Sequence, residues 1–534
     1  MPLPMMLMIT AIIIFICVLF NKLSSKLGIP MLLAFIALGI FFGVDGVFKI
    51  YFEDYKFAEN ICSAALIFIM FYGGFGTKWE EAKPIAVQAV MLSSAGVILT
   101  AGITGLFCHY VLNFDMLESF LLGSVIGSTD AASVFSILRS KRLNLKYNTA
   151  SMLEVESGSN DPCSYMLTVI ILSLMQGGMD GASILYMIFA QLAYGALIGV
   201  IIAFLAIQML KKFRFATDGF DAAFVLAVAV FSYALPTVLG GNGYLSAYIV
   251  GIILGNNEIK NKRSLVSFFD GFTGLMQMLI FFLLGLLSTP SRMAEIFPLA
   301  FIIAVFVTFI SRPAAVTAIL MPFRCKINQI VLVSWAGLRG AASIVFAIMV
   351  TVSDAYVKND IFDIVFCIVL LSIAFQGTLI PFFSKKLNMV DDNADVLKTF
   401  NDYIDDDEVQ FIQLNINGGH PWKNKKLKDI VLPNEMLIVS LLRGGETVIP
   451  KGNTEIVDGD TVVLSAPAFH GKADVTFSEI SIGKNSGKKN KRIADLKYGK
   501  DELVVIIKRD NERIIPNGDT IIRENDILVV SSRT

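Results

Sequence analysis

The sequence has few charged residues and almost no histidine. Charged residues make up 17% of its 534 positions, whereas soluble domains usually carry about 25%. The net charge is −1, which offers no basic excess for nucleic-acid binding. No HExxH or GxxxxGK[ST] motif occurs, so neither an intramembrane zinc protease nor an ATP-driven pump is supported. We therefore predict a protein that is not an enzyme, with no catalytic residues and no cofactor.

Cysteine is also scarce, and its pattern excludes redox and zinc motifs. The six cysteines include no CxxC pair. All of them lie in or beside apolar runs, where a thiol behaves as a small apolar side chain. We interpret them as thiols buried in the membrane.

Long apolar runs dominate the first 384 residues. Hydrophobic residues reach 55% of the chain, with 42 Phe. A helix needs about 20 apolar residues to cross a bilayer. The first run lacks the Lys or Arg and the cleavage site of a signal peptide, so we interpret it as a retained span. The thirteen predicted spans are 5–21, 29–46, 57–76, 84–110, 117–138, 147–176, 181–210, 220–239, 242–257, 264–288, 294–322, 328–352 and 361–384.

Positive charge alternates between the predicted loops. With the N-terminus outside, the inside loops carry eighteen Lys and Arg and the outside loops carry four. The positive-inside rule then predicts an external N-terminus and a cytoplasmic C-terminus. We expect a multi-pass protein of the bacterial inner membrane.

Two spans contain similar interruptions. The fifth holds GSTDAAS (127–133) and the twelfth holds GLRGAAS (337–343). The two spans would run in opposite directions, as an inverted repeat requires, and interrupted helices at matching places indicate a transporter site near the bilayer midplane. Close packing of small residues is the simpler alternative. If the two helices are broken, Asp130 and Arg339 would offset the partial charges of the broken helix ends, and Thr129 would offer an oxygen to a cation.

The sixth span contains LEVESGSNDP, residues 153–162. Glu154, Ser157 and Asp161 share one helical face, while Glu156 and Asn160 share an adjoining face.

Buried arginines are available as partners for the two glutamates. These are Arg312 in the eleventh span and Arg339 in the twelfth, and pairing with them would keep Glu154 and Glu156 as structural charges. Asp161 is left without an obvious arginine. A lone buried carboxylate can take up a proton near neutral pH or bind a monovalent metal cation, with oxygens from Ser157, Asn160 and Thr129.

ESGSNDP, GSTDAAS and GLRGAAS together resemble the signatures of bacterial cation:proton antiporters of the NhaP type, over about residues 1–390. The resemblance implies an α-helical membrane protein of thirteen spans, with inverted repeats and crossed broken helices, that forms a homodimer. It implies Asp161 as the carrier of cation and proton, Asn160 as its support, Thr129 and Ser157 near the ion, and Glu156 paired with Arg339. An Asn-Asp pair implies electroneutral exchange of one cation per proton.

One residue departs from the pattern of these relatives. Many of them have an acidic residue in the third span, where this sequence has Tyr72 within FIMFYGGFG. A supporting acidic role at that position, and the ion selectivity that goes with it, does not carry over.

The C-terminal 150 residues look like a soluble chain with an internal repeat. Residues 437–464 align with 503–530 at an offset of 66, with eleven of twenty-eight positions identical. Pro-x-Gly and Gly-Asp turns predict short strands in each copy, preceded by a small helix. We predict a membrane domain at 1–387, an acidic linker at 388–406, and two α+β repeats at 407–468 and 469–534.

Each repeat resembles the TrkA-C (RCK-C) subdomain that regulates bacterial potassium channels and transporters. No GxGxxG follows a strand, so Rossmann-type binding of NAD or ATP is not expected. The resemblance implies a possible small-molecule regulator such as cyclic di-AMP, with Arg443, Pro450, Arg509 and Pro516 as candidate contacts. Repeats that serve only for dimerisation are the open alternative.

The sequence thus predicts a secondary active antiporter that exchanges K+ or Na+ for protons under control of its tail, with the lipid bilayer and a second copy as partners. The tail type favours K+. A passive cation channel gated by the tail is an alternative, although no Thr-Val-Gly-Tyr-Gly filter occurs. A membrane sensor with an inactive transporter body is another, but Asp161, Asn160 and Arg339 are all intact.

Overall fold

The chain forms two units, Met1–Val396 and Leu397–Thr534. Parts of the predicted first span (5–7, 9–10 and 20–21) and of the predicted linker (392–406) lie outside the described residues. The computed structural model describes residues 4, 8, 11–19, 31–130, 133–134, 137–138, 143, 145–177, 180–212, 219–259, 261–391, 409–418, 420–433, 436–444, 446–467, 475–483, 486–496, 502–509, 512–514 and 516–533.

The first unit is a bundle of apolar helices. Seven helical segments of the described chain are long and apolar enough to cross a membrane, and the total of thirteen stays a prediction. Every predicted span from the second to the thirteenth coincides with helix. The segments are 11–19, Met31–Phe42, Tyr55–Gly76, Trp79–Ala82, Lys83–Ile85, Ala86–Met91, Leu92–Gly96, Val97–Tyr110, Met116–Val125, Thr149–Gln176, Gly181–Lys212, Phe220–Val238, Gly243–Gly255, Lys262–Leu287, Pro290–Phe306, Val307–Ser311, Arg312–Leu320, Ile327–Trp335, Ala341–Val352, Ile361–Leu371, Ser372–Gly377 and Thr378–Lys386.

Three spans contain a π-helical turn. These wide turns occupy Leu92–Gly96 in the fourth span, Val307–Ser311 in the eleventh and Ser372–Gly377 in the thirteenth. A π turn shifts the register of the following helix and is common at functional sites. The two later turns lie next to the interrupted twelfth span.

Close contact between the third and ninth spans depends on glycine. A Cβ on Gly251 would lie 2.1 Å from the carbonyl oxygen of Phe71, and one on Gly74 would lie 2.3 Å from that of Tyr248. Glycine therefore lets the two backbones touch, as in other membrane helix pairs.

The second unit holds two four-stranded antiparallel sheets of the same design. Their strands are β1 (Val409–Asn415), β2 (Leu437–Arg443), β3 (Glu446–Val448) and β4 (Thr461–Pro467), then β5 (Val475–Ser481), β6 (Glu502–Arg509), β7 (Glu512–Ile514) and β8 (Ile527–Arg533). The orders are β1-β4-β2-β3 and β5-β8-β6-β7.

The match between the two sheets extends to their irregularities. The β2–β4 pair has a register shift between Ile438 and Ser440, and the β6–β8 pair has one between Val504 and Ile506. The predicted small helix is a single 3-10 turn in each copy, at Leu427–Asp429 and Ile493–Asp495. The internal repeat of the sequence is therefore a repeat of fold.

Candidate functional site

The two interrupted spans cross each other where both are unwound. The fifth helix ends at Val125 and the twelfth is open from Ala336 to Gly340. The N–H of Asp130 donates to the carbonyl of Leu338 at 2.8 Å, and Nη1 of Arg339 donates to the carbonyl of Ser128 at 2.9 Å. Each open segment thus satisfies backbone groups that the other leaves without a helical partner.

Gly340 lets the crossing close. A Cβ at this position would lie only 2.3 Å from the Cβ of Asp130. The carboxylate of Asp130 accepts from the N–H and the hydroxyl of Ser133, at 3.2 and 2.5 Å. Asp130 therefore caps the start of the helical turn that follows the break, which fits its predicted structural role.

Asp161 lies on the sixth helix, directly against this crossing. Its side chain is 5% exposed, and the hydroxyl of Ser128 donates a very short hydrogen bond to its Oδ1. The next residue, Pro162, has no N–H, so the helical hydrogen bond to the preceding turn is missing beside the carboxylate. Asn242 of the ninth span donates through Nδ2 to the Pro162 carbonyl at 2.8 Å.

Asn160 and Ser157 bind every polar group of Thr129. Asn160 Nδ2 donates to the Thr129 hydroxyl at 2.5 Å, and its Oδ1 accepts from the Thr129 N–H at 3.3 Å. The hydroxyl of Ser157 donates to the Thr129 carbonyl at 2.7 Å. The four predicted ion-site residues, Thr129, Ser157, Asn160 and Asp161, therefore form one buried cluster.

The predicted pairing of Glu156 with Arg339 is wrong. Glu156 forms its ion pair with Arg312, with Nη2 and Oε1 2.5 Å apart and both side chains at most 3% exposed. The reason is geometric, because Arg339 turns toward the crossing and donates to Ser128 instead. Arg312 lies over Gly337, whose added Cβ would be 2.7 Å from Arg312 Nε.

Glu154 and Tyr72 lie away from this cluster. Glu154 is partly buried, one turn before the group that binds Thr129. The hydroxyl of Tyr72 lies 3.3 Å from Oδ1 of Asp270 in the tenth span, and its ring stacks on Phe269. Tyr72 therefore faces the tenth span.

Ser128 is the site residue that sequence reasoning missed. It lies inside the GSTDAAS motif directly before Thr129 and Asp130, which were singled out, and its hydroxyl contacts the carboxylate of Asp161. The available signal was position, since every residue of an unwound segment exposes backbone and side-chain oxygens to the same centre.

The arrangement suits a monovalent cation or a proton. The carboxylate of Asp161 is bonded to the hydroxyl of Ser128, and the next residue, Thr129, adds a second hydroxyl. Hard oxygens of this kind are typical ligands of such ions. Among the described residues, no group of three or more His, Cys, Asp or Glu forms a multivalent metal site.

The C-terminal end of the thirteenth span is hydrogen-bonded to the segments that begin the sixth and the twelfth spans. The N–H and Nζ of Lys146 donate to the carbonyls of Met389 and Asn388 at 2.8 and 3.0 Å, and Leu145 forms a β-bridge with Val390. Asn328 Nδ2 donates to the Leu387 carbonyl at 3.0 Å. The segment that leads to the tail is therefore fixed to helices that carry site residues.

Two of the four candidate regulator contacts in the tail are engaged internally. Arg443 binds Asp460 through Nε and Nη2, both at 2.8 Å, and Arg509 binds Asp526 through the same atoms at 2.8 and 2.7 Å. In each sheet this pair connects the end of one strand, β2 or β6, to the turn directly before the last strand, β4 or β8. Pro450 and Pro516 are partly exposed, and Ile449 beside Pro450 is 78% exposed, so an apolar surface remains at that edge.

The ion pairs also change the acidity of the two carboxyl groups. Hydrogen bonds from Arg443 hold the pKa of Asp460 below its usual value. Burial alone would raise the pKa of Asp526, but the hydrogen bonds from Arg509 and from the N–H of Arg523 outweigh it, and this pKa is lowered too.

Comparison with known families matches both units. Residues 11–386 match the family described as "Sodium/hydrogen exchanger, transmembrane", and residues 411–468 and 477–533 each match the TrkA-C domain.

Curated relatives share most of the chain. The protein named K(+)/H(+) antiporter NhaP of Alkalimonas amylolytica is 30% identical over 462 residues, which cover 86% of this chain and 80% of that protein. The K(+)/H(+) antiporter NhaP2 of Shewanella sp. (strain MR-4) is 31% identical over 464 residues, with the same two shares.

A solved structure has the same fold. The sodium proton antiporter MjNhaP1 from Methanocaldococcus jannaschii, at pH 8, aligns with a TM-score of 0.63 and 23% identity, over 71% of this chain and all of that one. The predicted fold class, a helical membrane body with a β-sheet tail of TrkA-C type, is confirmed.

Proposed function

The chain belongs to the sodium/hydrogen exchanger family, and on this premise we propose that it is a secondary active antiporter that exchanges a monovalent cation for protons. The observation that carries the proposal is the buried carboxylate of Asp161 at the crossing of two unwound helices, bonded to the hydroxyl of Ser128. Burying a carboxylate at membrane depth costs free energy, so its presence there indicates a functional role.

Cation and proton would compete for the same oxygens. A proton on Asp161 removes the charge that attracts a cation, and a bound cation removes the basicity that attracts a proton. The occupied site is neutral in both cases, because the neighbouring Asn160 carries no charge. One cation is then exchanged for one proton without net charge movement.

Each neighbour has a separate role in the proposal. Ser128 and Thr129 supply oxygens to the cation, and Asn160 and Ser157 hold the unwound segment through the N–H, hydroxyl and carbonyl of Thr129. Arg312 with Glu156, Arg339 and Asp130 are structural charges that keep the crossing closed.

We propose K+ as the preferred cation and Na+ as the second candidate. Relatives of about 30% identity over most of the chain are named K(+)/H(+) antiporters, and the TrkA-C repeats support a potassium function. The structure with the same fold carries a sodium name, so selectivity within the fold varies.

The setting of the protein follows from its charge pattern and its family. We propose an inner-membrane homodimer with an external N-terminus, based on the eighteen positive residues of the inside loops. The tail would then be cytoplasmic and regulate exchange through residues 387–390, which are bonded to Lys146 and Asn328.

A regulator would bind the tail at its exposed apolar edge. A small molecule such as cyclic di-AMP beside Pro450 and Pro516 is one proposal, and dimerisation through the same edge is the other. Deletion of residues 391–534 should change regulation and leave exchange in place. Loss of the protein from the membrane would instead assign the tail a scaffold role.

Exchange in proteoliposomes with an internal pH dye tests the proposal. A pH gradient is imposed, K+, Na+ or Li+ is added outside, and valinomycin with K+ clamps the voltage. We expect proton movement with one or more of these cations that does not depend on voltage. Cation flux without proton movement would favour a channel gated by the tail.

The matched variants are Asp161→Asn and Asp270→Asn. Both remove one carboxylate from a membrane helix, but Asp270 lies in the tenth span beside Tyr72. Asp161→Asn should abolish exchange, while Asp270→Asn should retain it. Exchange that survives in Asp161→Asn would refute the carrier role of this residue. A wild-type protein that moves neither cations nor protons would favour the alternative of a membrane sensor with an inactive transporter body.

A further inference from the structure

A cavity lies beside the crossing, between the eleventh, twelfth and thirteenth spans. Its volume is about 300 Å³, and most of its wall is apolar. The rim carries large apolar side chains that stay exposed after folding and would face lipid, namely Phe301, Val305, Phe309, Phe375 and Leu379. Pockets of this size and lining bind small ligands, with a few polar groups setting their orientation.

Two arginines line the same cavity. Arg312 and Arg339 are each 2% exposed and form part of its wall. Among the described residues, Nε and Nη2 of Arg312 and Nη2 of Arg339 have no hydrogen-bond acceptor. Arg312 Nη2 touches Glu156 only as an ion pair. Buried donors without an acceptor are costly, so an oxygen ligand that draws Nε of Arg312 or Nη2 of Arg339 toward the cavity would satisfy a donor that now has no acceptor.

Charge defines that ligand further. The buried cluster formed by Arg312, Arg339 and Glu156 carries a net charge of +1, because two guanidinium groups face one carboxylate. An anionic oxygen pair matches the planar fork of a guanidinium group. The apolar rim calls for a hydrocarbon chain attached to that anion, and about 300 Å³ leaves room for a single chain.

We propose that this cavity binds a long-chain monocarboxylate, such as a fatty acid, that enters from the bilayer. The carboxylate contacts Arg312 and Arg339, and the chain lies along Phe301, Phe309 and Phe375. The site is distinct from Asp161 and does not depend on which cation is transported.

Occupancy of this site would be felt at the ion site. Nη1 of Arg339 donates to the carbonyl of Ser128, whose hydroxyl donates to Asp161. A ligand that draws the guanidinium toward the cavity pulls on this chain of hydrogen bonds. We therefore expect the bound carboxylate to slow exchange.

Trp335 provides a direct probe of binding. It lines the cavity, and its indole N–H donates to the carbonyl of Gln376 at 3.2 Å. The chain has three Trp, so Trp79→Phe with Trp422→Phe leaves Trp335 as the only indole. This protein is reconstituted in liposomes and titrated with 9,10-dibromostearate, whose bromine atoms quench indole fluorescence, and with its methyl ester.

We expect saturable quenching by the acid, displaced by unlabelled stearate, and weak quenching by the neutral ester. Ala304→Phe fills the cavity and should abolish the saturable part, and Val305→Phe at the rim serves as a second blocking variant. Ile302→Phe adds the same ring to a lipid-facing position outside the cavity and should leave binding intact. Equal, non-saturating quenching by acid and ester, or saturation that both blocking variants retain, would overturn the proposal.

Because binding is measured without transport, its failure is separable from failure of the antiporter function. A protein that exchanges ions but does not bind the acid refutes only this site. A protein that binds the acid but moves no ions refutes only the transport proposal.

Discussion

Replacing Arg312 should destabilise the membrane unit strongly, because this residue is half of a buried ion pair. Arg312 and Glu156 form an ion pair with 2.5 Å between Nη2 and Oε1, and their side chains are 3% and 1% exposed. Removing one member of a buried pair leaves an uncompensated charge, at a cost of about 3–5 kcal/mol. We expect a loss of this size for Arg312→Met and a comparable loss for Glu156→Gln.

The double variant should recover most of that loss. Both carboxylate oxygens of Glu156 and two nitrogens of Arg312 lack hydrogen-bond partners, so hydrogen bonds do little to offset the desolvation of the pair. Replacing both members of such a pair is often close to neutral, within about 1 kcal/mol. The coupling energy between the two positions should therefore be on the order of 3–5 kcal/mol.

Reversible unfolding of the full chain by SDS in bicelles, followed by intrinsic fluorescence, measures these free energies. Arg339→Met is the matched comparison, because it removes the hydrogen bond to the Ser128 carbonyl, which contributes about 1.5–3 kcal/mol. Its coupling to Glu156→Gln should be clearly smaller. Arg292→Met, at an exposed position, controls for loss of a positive charge. A stronger coupling of Glu156 to Arg339 than to Arg312 would refute the assignment.

Three further outcomes are expected. Gly340→Ala should abolish exchange or prevent folding, because the added Cβ would lie 2.3 Å from the Cβ of Asp130. Gly102→Ala, whose added Cβ would have nothing within 4 Å, should retain folding and exchange. Exchange rates and size-exclusion profiles in detergent check both variants. Ser128→Ala should raise the cation concentration for half-maximal exchange about tenfold, since a hydrogen bond to a charged group contributes roughly 1.5–3 kcal/mol and 1.4 kcal/mol is a factor of ten; an unchanged value would remove Ser128 from the site. The Arg–Asp pairs of the tail lower the pKa values of Asp460 and Asp526, so their stabilisation is complete above the unfolded pKa of about 3.9 and disappears as pH falls below it. Protection of the amides in 441–464, measured relative to their intrinsic exchange rates, should accordingly fall on acidification below about pH 4 in the wild type and already be reduced at pH 7 in Asp460→Asn. Equal protection in both proteins at pH 7 would contradict a structural role of the pair.

The sequence predicted the breaks in the helices because their cause is local. Glycine, small polar residues and one charge occur together in 127–133 and in 337–343, and such stretches favour an interruption of an apolar helix. The resemblance implied that the two broken helices cross, and the structure confirms the crossing through the hydrogen bond between Asp130 and Leu338.

The partner of Glu156 could not be predicted, because it depends on which face each helix turns to its neighbours. Both Arg312 and Arg339 were available by charge and depth, and the resemblance favoured Arg339. The π turn Val307–Ser311 lies directly before Arg312 and changes the direction in which the arginine points. No residue pattern in this stretch predicts a π turn, so the choice between Arg312 and Arg339 as the partner of Glu156 needed the three-dimensional packing.

The tail repeat could also be predicted from local sequence, but the internal partners of its two arginines could not. Arg443 and Arg509 recur at the same repeat positions, which suggested a ligand contact. They recur with Asp460 and Asp526, which are also repeated and bind them in the structure.

The hydrogen bonds of the unwound segment can stay in place when Asp161 carries a proton. The carbonyl of Ser128 accepts from Arg339, and the carbonyl of Thr129 accepts from Ser157. A proton on Asp161 disturbs neither bond, because the Ser128 hydroxyl only has to change from donor to acceptor.

A cation needs those oxygens at ligand distance, and an Arg339 guanidinium next to a bound cation repels it. Cation binding therefore has to move the unwound segment of the fifth span relative to the twelfth. The same segment follows the helix Met116–Val125 and is bonded to Leu338 across the crossing. The identity of the bound ion is thereby coupled to the relative position of the two helices, which is the coupling that alternating access between the two sides of the membrane requires.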